Sequence, residues 1–356
     1  MLKPHRKDKM TPLERAQAIA EGRKYDRIRC GLSLGEMKAK LIGEDMNKLV
    51  SSVEVMVKSE IAAFNRFGQD GISMGANSYG IAEAMGANVC YPKDNLPFIT
   101  APAITDYRML DDMGPVNPER DGRIPLYLEA CSILEREAKG IVGIGSSIGG
   151  PFTIASYLRG AVNLLKDTHR CPENVHKLMR IVTESSKNCI DAFSIFGVSV
   201  AMADPMASGS VISPKVFEKF VFPYLKELTD YALLKTGKKA SLHMCGKTEK
   251  LWKWMNRLDI ASFSLDEKVD LCQAKNELGI KTCLAGNVSP VEVILQGNKE
   301  SITRSVKECI KKGHDSPQGY ILGFGCQAPP LTPGKNIEYF MEAARKFGTY
   351  EKMNEM

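Results

Sequence analysis

No apolar leader opens the chain. It begins Met1-Leu2-Lys3-Pro4-His5-Arg6-Lys7-Asp8-Lys9, too charged for a secretory signal, so the expectation is a cytoplasmic protein. Long hydrophobic runs are lacking too. The charge-free stretch Gly140 to Leu158 holds five glycines, three serines, a threonine and Pro151, which argues against a membrane span and for buried strand, turn and helix start. Cysteine is sparse for a disulfide-stapled fold, at ten in 356 residues, so reduced thiols are expected, some in the core and some on metal. Charge of one sign is not widespread. Of the formal +6, residues 1 to 30 hold most, with nine Lys or Arg against four acids. That excludes a broad basic face for nucleic acid and leaves a basic amino-terminal patch suited to an acidic partner. No Pro/Gly/Ser linker or low-complexity stretch divides the sequence, and 44% hydrophobic with 25% charged residues allows one large core.

What is present is alternation. Thr11-Pro12-Leu13-Glu14 is a capping box that predicts a helix to Glu21, stopped at Gly22. Leu49, Val53, Val57, Ile61 and Phe64 predict a second helix over 44–67. Apolar, β-branched runs then predict strands at 71–74, 141–146, 198–203, 240–244, 260–265, 281–286 and 320–324, with an eighth near 27–32 or 87–91. Amphipathic segments at 214–234, 247–258, 271–278 and 290–312 lie between them. Ser213-Pro214 and Ser289-Pro290-Val291-Glu292 mark two helix starts. Regular strand–helix alternation implies a parallel α/β sheet, closed as a (β/α)8 TIM barrel or open and doubly wound. The closed barrel with an N-terminal helical extension is preferred: one domain over 1–356, with 1–68 as the helical segment and 69–356 as the main barrel.

A barrel carries its active site at the carboxyl ends of its strands, so polar residues that end apolar runs are the candidates. They are Asp204, His243 and Cys245, Asp266, Asn287, and Cys326. His243-Met244-Cys245 puts both side chains on one face of a strand end, and Cys326 stands at an equivalent place later in the chain. One imidazole and two thiolates suit zinc and leave a fourth position open, the pattern of a catalytic zinc. Buried residues without metal are the plain alternative. Asp204 and Asp266 are either helix caps or zinc-site groups, a fourth ligand or an acceptor that orients His243, with Asp266 preferred for direct contact. Tyr79, Glu83 and Met85, and Met206 and Ser208, line a substrate pocket or simply pack. His169-Arg170-Cys171 with His176 is a rival metal pattern in a charged turn. Gly143 to Gly150, with Ser146 and Ser147, follows a strand and precedes a helix; it reads as a phosphate-binding cofactor loop or as a close-packed turn beside the site.

Across nearly the whole length the chain resembles the uroporphyrinogen decarboxylase superfamily, and within it the zinc methyltransferases of corrinoid-dependent methyl transfer. The resemblance rests on Thr11-Pro12-Leu13-Glu14-Arg15, Tyr25-Asp26-Arg27, Glu83-Ala84-Met85-Gly86, Gly150-Pro151-Phe152-Thr153-Ile154-Ala155, Ala203-Asp204-Pro205, Ile212-Ser213-Pro214, His243-Met244-Cys245-Gly246, Gly286-Asn287-Val288, and Gly325-Cys326 before Thr332-Pro333. It implies zinc on His243, Cys245 and Cys326, and a corrinoid (cobalamin) carried by a partner protein docked over the mouth. Where the decarboxylase has its Arg- and Gly-rich carboxylate grip, this chain reads Arg27-Ile28-Arg29-Cys30-Gly31-Leu32-Ser33, which speaks against that activity. The first expectation is transfer of a methyl group from a methyl ether, such as a methoxylated aromatic, to the cobalt of a corrinoid protein, with Asp204, Asp266 and Asn287 as catalytic candidates. The alternative is methyl transfer from methylcobalamin to a thiol of the coenzyme M type. Decarboxylation and a non-catalytic binding barrel come third and fourth.

Overall fold

The computed structural model describes residues 1–355. Eight strands form one all-parallel sheet: β1 Arg29–Gly31, β2 Ile72–Ser73, β3 Ile144–Gly149, β4 Ser199–Ala203, β5 Ala240–Met244, β6 Ile260–Leu265, β7 Cys283–Val288 and β8 Tyr320–Phe324. Their order is β1-β8-β7-β6-β5-β4-β3-β2. The ring closes between β1 and β2, where the Asp70 N–H donates to the Cys30 carbonyl at 2.9 Å. This sequential order with helical crossovers is the TIM-barrel arrangement. The eighth strand is the 27–32 candidate, so it lies within the 1–68 stretch. The 87–91 candidate instead supplies Asn88–Cys90, which pairs antiparallel with Phe98–Ala101 outside the barrel.

Local chemistry accounts for most departures from the sequence pattern. The first helix, Pro12–Ala20, has its capping box in full: Glu14 N–H donates to Thr11, and the Glu14 carboxylate accepts from Thr11 N–H. The second starts only at Val53, because the Ser52 hydroxyl takes the Val55 N–H and fixes the cap there. Two short 3-10 stretches, Gly35–Ile42 and Met46–Val50, precede it. The 214–234 segment breaks into Pro214–Phe220 and Phe222–Thr236, since Pro223 has no N–H to continue the first helix. The 290–312 segment breaks before Lys299, where Asn298 caps a new helix with its own reciprocal pair. The strand expected at 141–146 runs instead over 144–149. Gly145 to Gly149 pair with Ser199 to Ala203, and the strand end needs glycine, since a Cβ at Gly149 would lie 2.5 Å from Ser78 Cβ and 2.8 Å from Ile154 Cγ1.

The amino-terminal helix covers the closed end of the barrel. Its Leu13 N–H donates to the Ile141 carbonyl ahead of β3. Arg15 and Arg27 are buried there against Asp8, Asp26 and Asp70, and Arg345 joins through Asp8. Part of the expected amino-terminal basic patch is therefore spent inside the molecule, at the end away from the strand carboxyl termini. No helix among the described residues is long and apolar enough to cross a membrane.

Candidate metal centre

Three donor atoms converge at the open end. His243 on β5, Cys245 just past it and Cys326 just past β8 place their ligand atoms within 4.8 Å of one another. His243 Nε2 lies 3.2 Å from the Cys245 sulfur, which lies 3.5 Å from the Cys326 sulfur. A tetrahedral zinc with ordinary bond lengths needs such donors about 3.6 to 3.8 Å apart, so a slight opening of the group would admit the ion. All ten cysteines are free, and this pair remains two thiols.

The register makes the room. In line across the sheet stand Gly149, Ala203, His243, Ser264 and Ala285, so only small side chains flank the imidazole. Ser264 also orients it, because His243 Nδ1 lies 3.1 Å from the Ser264 carbonyl and 3.1 Å from its hydroxyl. An Nδ1–H donated to that carbonyl leaves the Nε2 lone pair facing the two sulfurs. The turn after Cys245 needs glycine: Gly246 has φ +68°, and a Cβ there would come 2.5 Å from the Ser210 hydroxyl. Gly246 N–H donates to Asp266 Oδ2 at 2.7 Å, and Lys247 N–H to Ser210 Oγ at 2.9 Å. The hydrogen bond between the two sulfurs pulls the Cys326 thiol well below its usual range and holds Cys245 above its own.

The other candidates take different places. Asp266 accepts from the Gly246 and Lys268 N–H groups and is not among the converging donors, so Ser264 rather than Asp266 orients His243. Asp204 is fully buried and accepts from the Thr153 N–H and hydroxyl at 2.8 and 2.6 Å and from Phe152 N–H at 3.3 Å. It thus caps the helix Pro151–Arg159 from the end of β4; burial pushes its carboxyl up to about 6 against those hydrogen bonds. Asn287 donates to the Asp266 and Val269 carbonyls and clamps the loop after β6.

The glycine-rich run is neither a phosphate loop nor a turn: it is strand β3 itself, Ile144–Gly149, with Gly150 alone joining it to the helix Pro151–Arg159. A Cβ at Gly150 would lie 2.2 Å from the Asp204 Cβ, so a carboxylate already occupies the helix N-terminus where a phosphate would bind. Ser146 is buried within β3, with Ser147 beside it. Tyr79 stacks on Tyr157 at 4.7 Å, and Glu83 pairs with Arg123 at 3.0 Å and accepts from the Tyr91 hydroxyl. The half-buried Met206 is held by its N–H to the Thr153 hydroxyl at 3.1 Å. Met85 and Ser208 are buried. In the rival pattern, His169 is exposed and His176 bonds to the Tyr224 hydroxyl and stacks on Phe220, so no metal group forms there among the described residues. Sequence reading missed Ser264 and Tyr157. The alternation Ser262-Phe263-Ser264-Leu265 was the available signal for the first, since the two serines share a face.

A profile of the uroporphyrinogen decarboxylase (URO-D) family matches residues 11–347. The chain is 27% identical over 266 residues to a "Methylated-thiol--coenzyme M methyltransferase" of Methanosarcina mazei, covering 74% of this chain and 69% of that one. It is 27% identical over 298 residues to "Methylcobamide:CoM methyltransferase MtaA" of Methanosarcina barkeri, covering 83% and 85%. Proteins named uroporphyrinogen decarboxylase match at similar identity. Among solved structures, a methyltransferase from Methanosarcina mazei superposes with a TM-score of 0.84 at 25% identity, covering 95% of this chain and 99% of that one. The chain belongs to the uroporphyrinogen decarboxylase family and is an enzyme of its methyltransferase branch.

Proposed function

We propose that this chain is a zinc-dependent methyltransferase of a corrinoid system, and that its small-molecule reactant is a thiol. The convergence of one imidazole and two thiols within 4.8 Å at the open end carries the reading. His243 Nε2 and the sulfurs of Cys245 and Cys326 would hold the ion and leave one position free for substrate. When bound there, zinc lowers the pKa of a thiol ligand and supplies a thiolate nucleophile. The two curated relatives reported above are named for coenzyme M, which favours the thiol over the methyl ether that the sequence pattern put first.

The remaining roles belong to the chain's own groups. Ser264 keeps His243 in the tautomer that offers Nε2. Asp266 and Asn287 hold the turn beyond Cys245 and the loop after β6, and Asp204 fixes the helix beside the mouth; in this reading they position backbone and do not touch substrate. Tyr79, Glu83 and Met206 are the chain's candidates for the substrate side of the site, where the Tyr79–Tyr157 stack would offer an apolar wall. A corrinoid protein docked over the same end would present the methylated cobalt. The whole chain serves this site as one domain, with the stretch before residue 69 supplying β1 and the cover of the closed end.

The test uses zinc-loaded protein with methylcobalamin and mercaptoethanesulfonate. Loss of the methylcobalamin spectrum with formation of the methyl thioether, dependent on zinc and abolished in Cys326→Ser, is expected. Intact methylcobalamin together with decarboxylation of a porphyrinogen would overturn the reading.

A further inference from the structure

Cys326 differs from its two partners in how it is held. His243 belongs to a central strand, and the Cys245 turn is pinned by Asp266 and Ser210, whereas Cys326 sits on the loop after β8. That loop docks against the segment that follows β1. Ala328 N–H donates to the Ser33 carbonyl at 2.8 Å, and the Gln327 side-chain amide donates to Glu36 Oε2 at 2.6 Å. Gly35 has φ +53°, and any Cβ there would fall 2.1 Å from the Gln327 amide carbon, so the glycine makes the seat into which Gln327 fits. Gln327 follows Cys326 directly in the chain, so what fixes the Gln327 backbone also fixes the place of the Cys326 sulfur. Both Glu36 and Gln327 are half-buried, which shields a carboxylate–amide hydrogen bond from competing water.

We propose that Glu36 is a positioning residue for Cys326: by holding the Gln327 side chain, beside the Ala328–Ser33 backbone hydrogen bond, it fixes the loop backbone that presents the Cys326 sulfur as a metal ligand. This rests on the zinc reading above. Glu36 touches no ligand atom, so its effect passes through Gln327 alone. It makes the segment after β1, which contributes no donor to the group, part of the support for the ion. Outer partners of this kind commonly change metal affinity by about 10- to 100-fold.

The experiment compares wild type with Glu36→Ala, Glu36→Gln, Gln327→Met and the double variant Glu36→Ala/Gln327→Met. Zinc affinity is read by competition with a chromophoric chelator, and cysteine–metal bonding by the thiolate-to-cobalt absorption of Co2+-loaded protein. Glu36→Ala and Gln327→Met are each expected to weaken zinc at least about 10-fold and to change the cobalt absorption. Glu36→Gln, which still offers an amide oxygen to Gln327, restores most of the affinity. The double variant is no worse than either single change, because both break one link. Metal-free melting temperatures stay together across the set, which separates positioning from general destabilisation; if Glu36→Ala fails to fold, Gln327→Met decides. Wild-type zinc affinity and an unchanged cobalt spectrum in Gln327→Met and in Glu36→Ala overturn the inference alone. A wild-type protein that takes up no zinc overturns the zinc reading and this inference together.

Discussion

The two ends of the barrel use polar side chains in opposite ways. At the closed end three aspartates, Asp8, Asp26 and Asp70, meet three arginines, Arg15, Arg27 and Arg345, all of them buried or nearly so. Every charge there has a partner. Asp70 accepts from both Arg15 and Arg27 and from the Cys30 N–H, tying the start of β1 to the turn before β2 where the ring closes. Burial would raise the Asp8 carboxyl, yet hydrogen bonds from Arg27 and Arg345 outweigh it and hold the group at about 2. At the open end the converging groups are soft donors: two thiols and an imidazole with its Nε2 turned toward them. Satisfied ion pairs mark architecture, and donors aimed at one another without a counter-charge mark a place for an ion.

That contrast is broken most sharply at the two sets of residues themselves. His243→Ala or Cys326→Ser is expected to abolish tight zinc binding while leaving the cooperative melt near that of the metal-free wild type, as metal analysis beside calorimetry would record. Asp70→Asn should do the reverse. It removes the carboxylate that Arg15 and Arg27 share, leaving the buried cluster one negative charge short although Asp26 and Asp8 remain, and is expected to cost about 3 to 5 kcal/mol of stability, with zinc per folded chain unchanged, measured by denaturant titration and metal content.

Acid sharpens the same division. Because Asp8 is held near 2 when folded against a reference of 3.8, its contribution is complete above pH about 4 and is lost as pH falls through about 2. The stability difference is about 2 kcal/mol, and Asp8→Asn should flatten that limb of a pH–stability profile. The smallest change is expected from Ser264→Ala. The Ser264 carbonyl still accepts from His243, so zinc affinity should fall only toward the low end of the 10- to 100-fold range found for outer partners.

Much of this division was legible in the residues. Five apolar runs ending in polar residues located β4 to β8 and delivered His243, Cys245 and Cys326 as one group, because a parallel barrel sends every strand end to the same face. What escaped depended on contacts between distant segments. β1 is three residues long and too short for a periodic signal. Asp266 stands one residue past a strand, as a ligand would, but a backbone N–H at Gly246 claims its carboxylate. The basic excess of the first 30 residues looked like surface, because the partners of Arg15 and Arg27 include Asp70, far along the chain.

The open end is expected to hold a zinc ion with a free position for a thiol. X-ray absorption at the zinc edge, on zinc-loaded protein before and after adding mercaptoethanesulfonate, tests it directly. Two sulfur ligands and an imidazole nitrogen are expected at first, and a third sulfur once the thiol is present. A first shell that keeps two sulfurs at saturating thiol, or that lacks cysteine sulfur from the start, would contradict it.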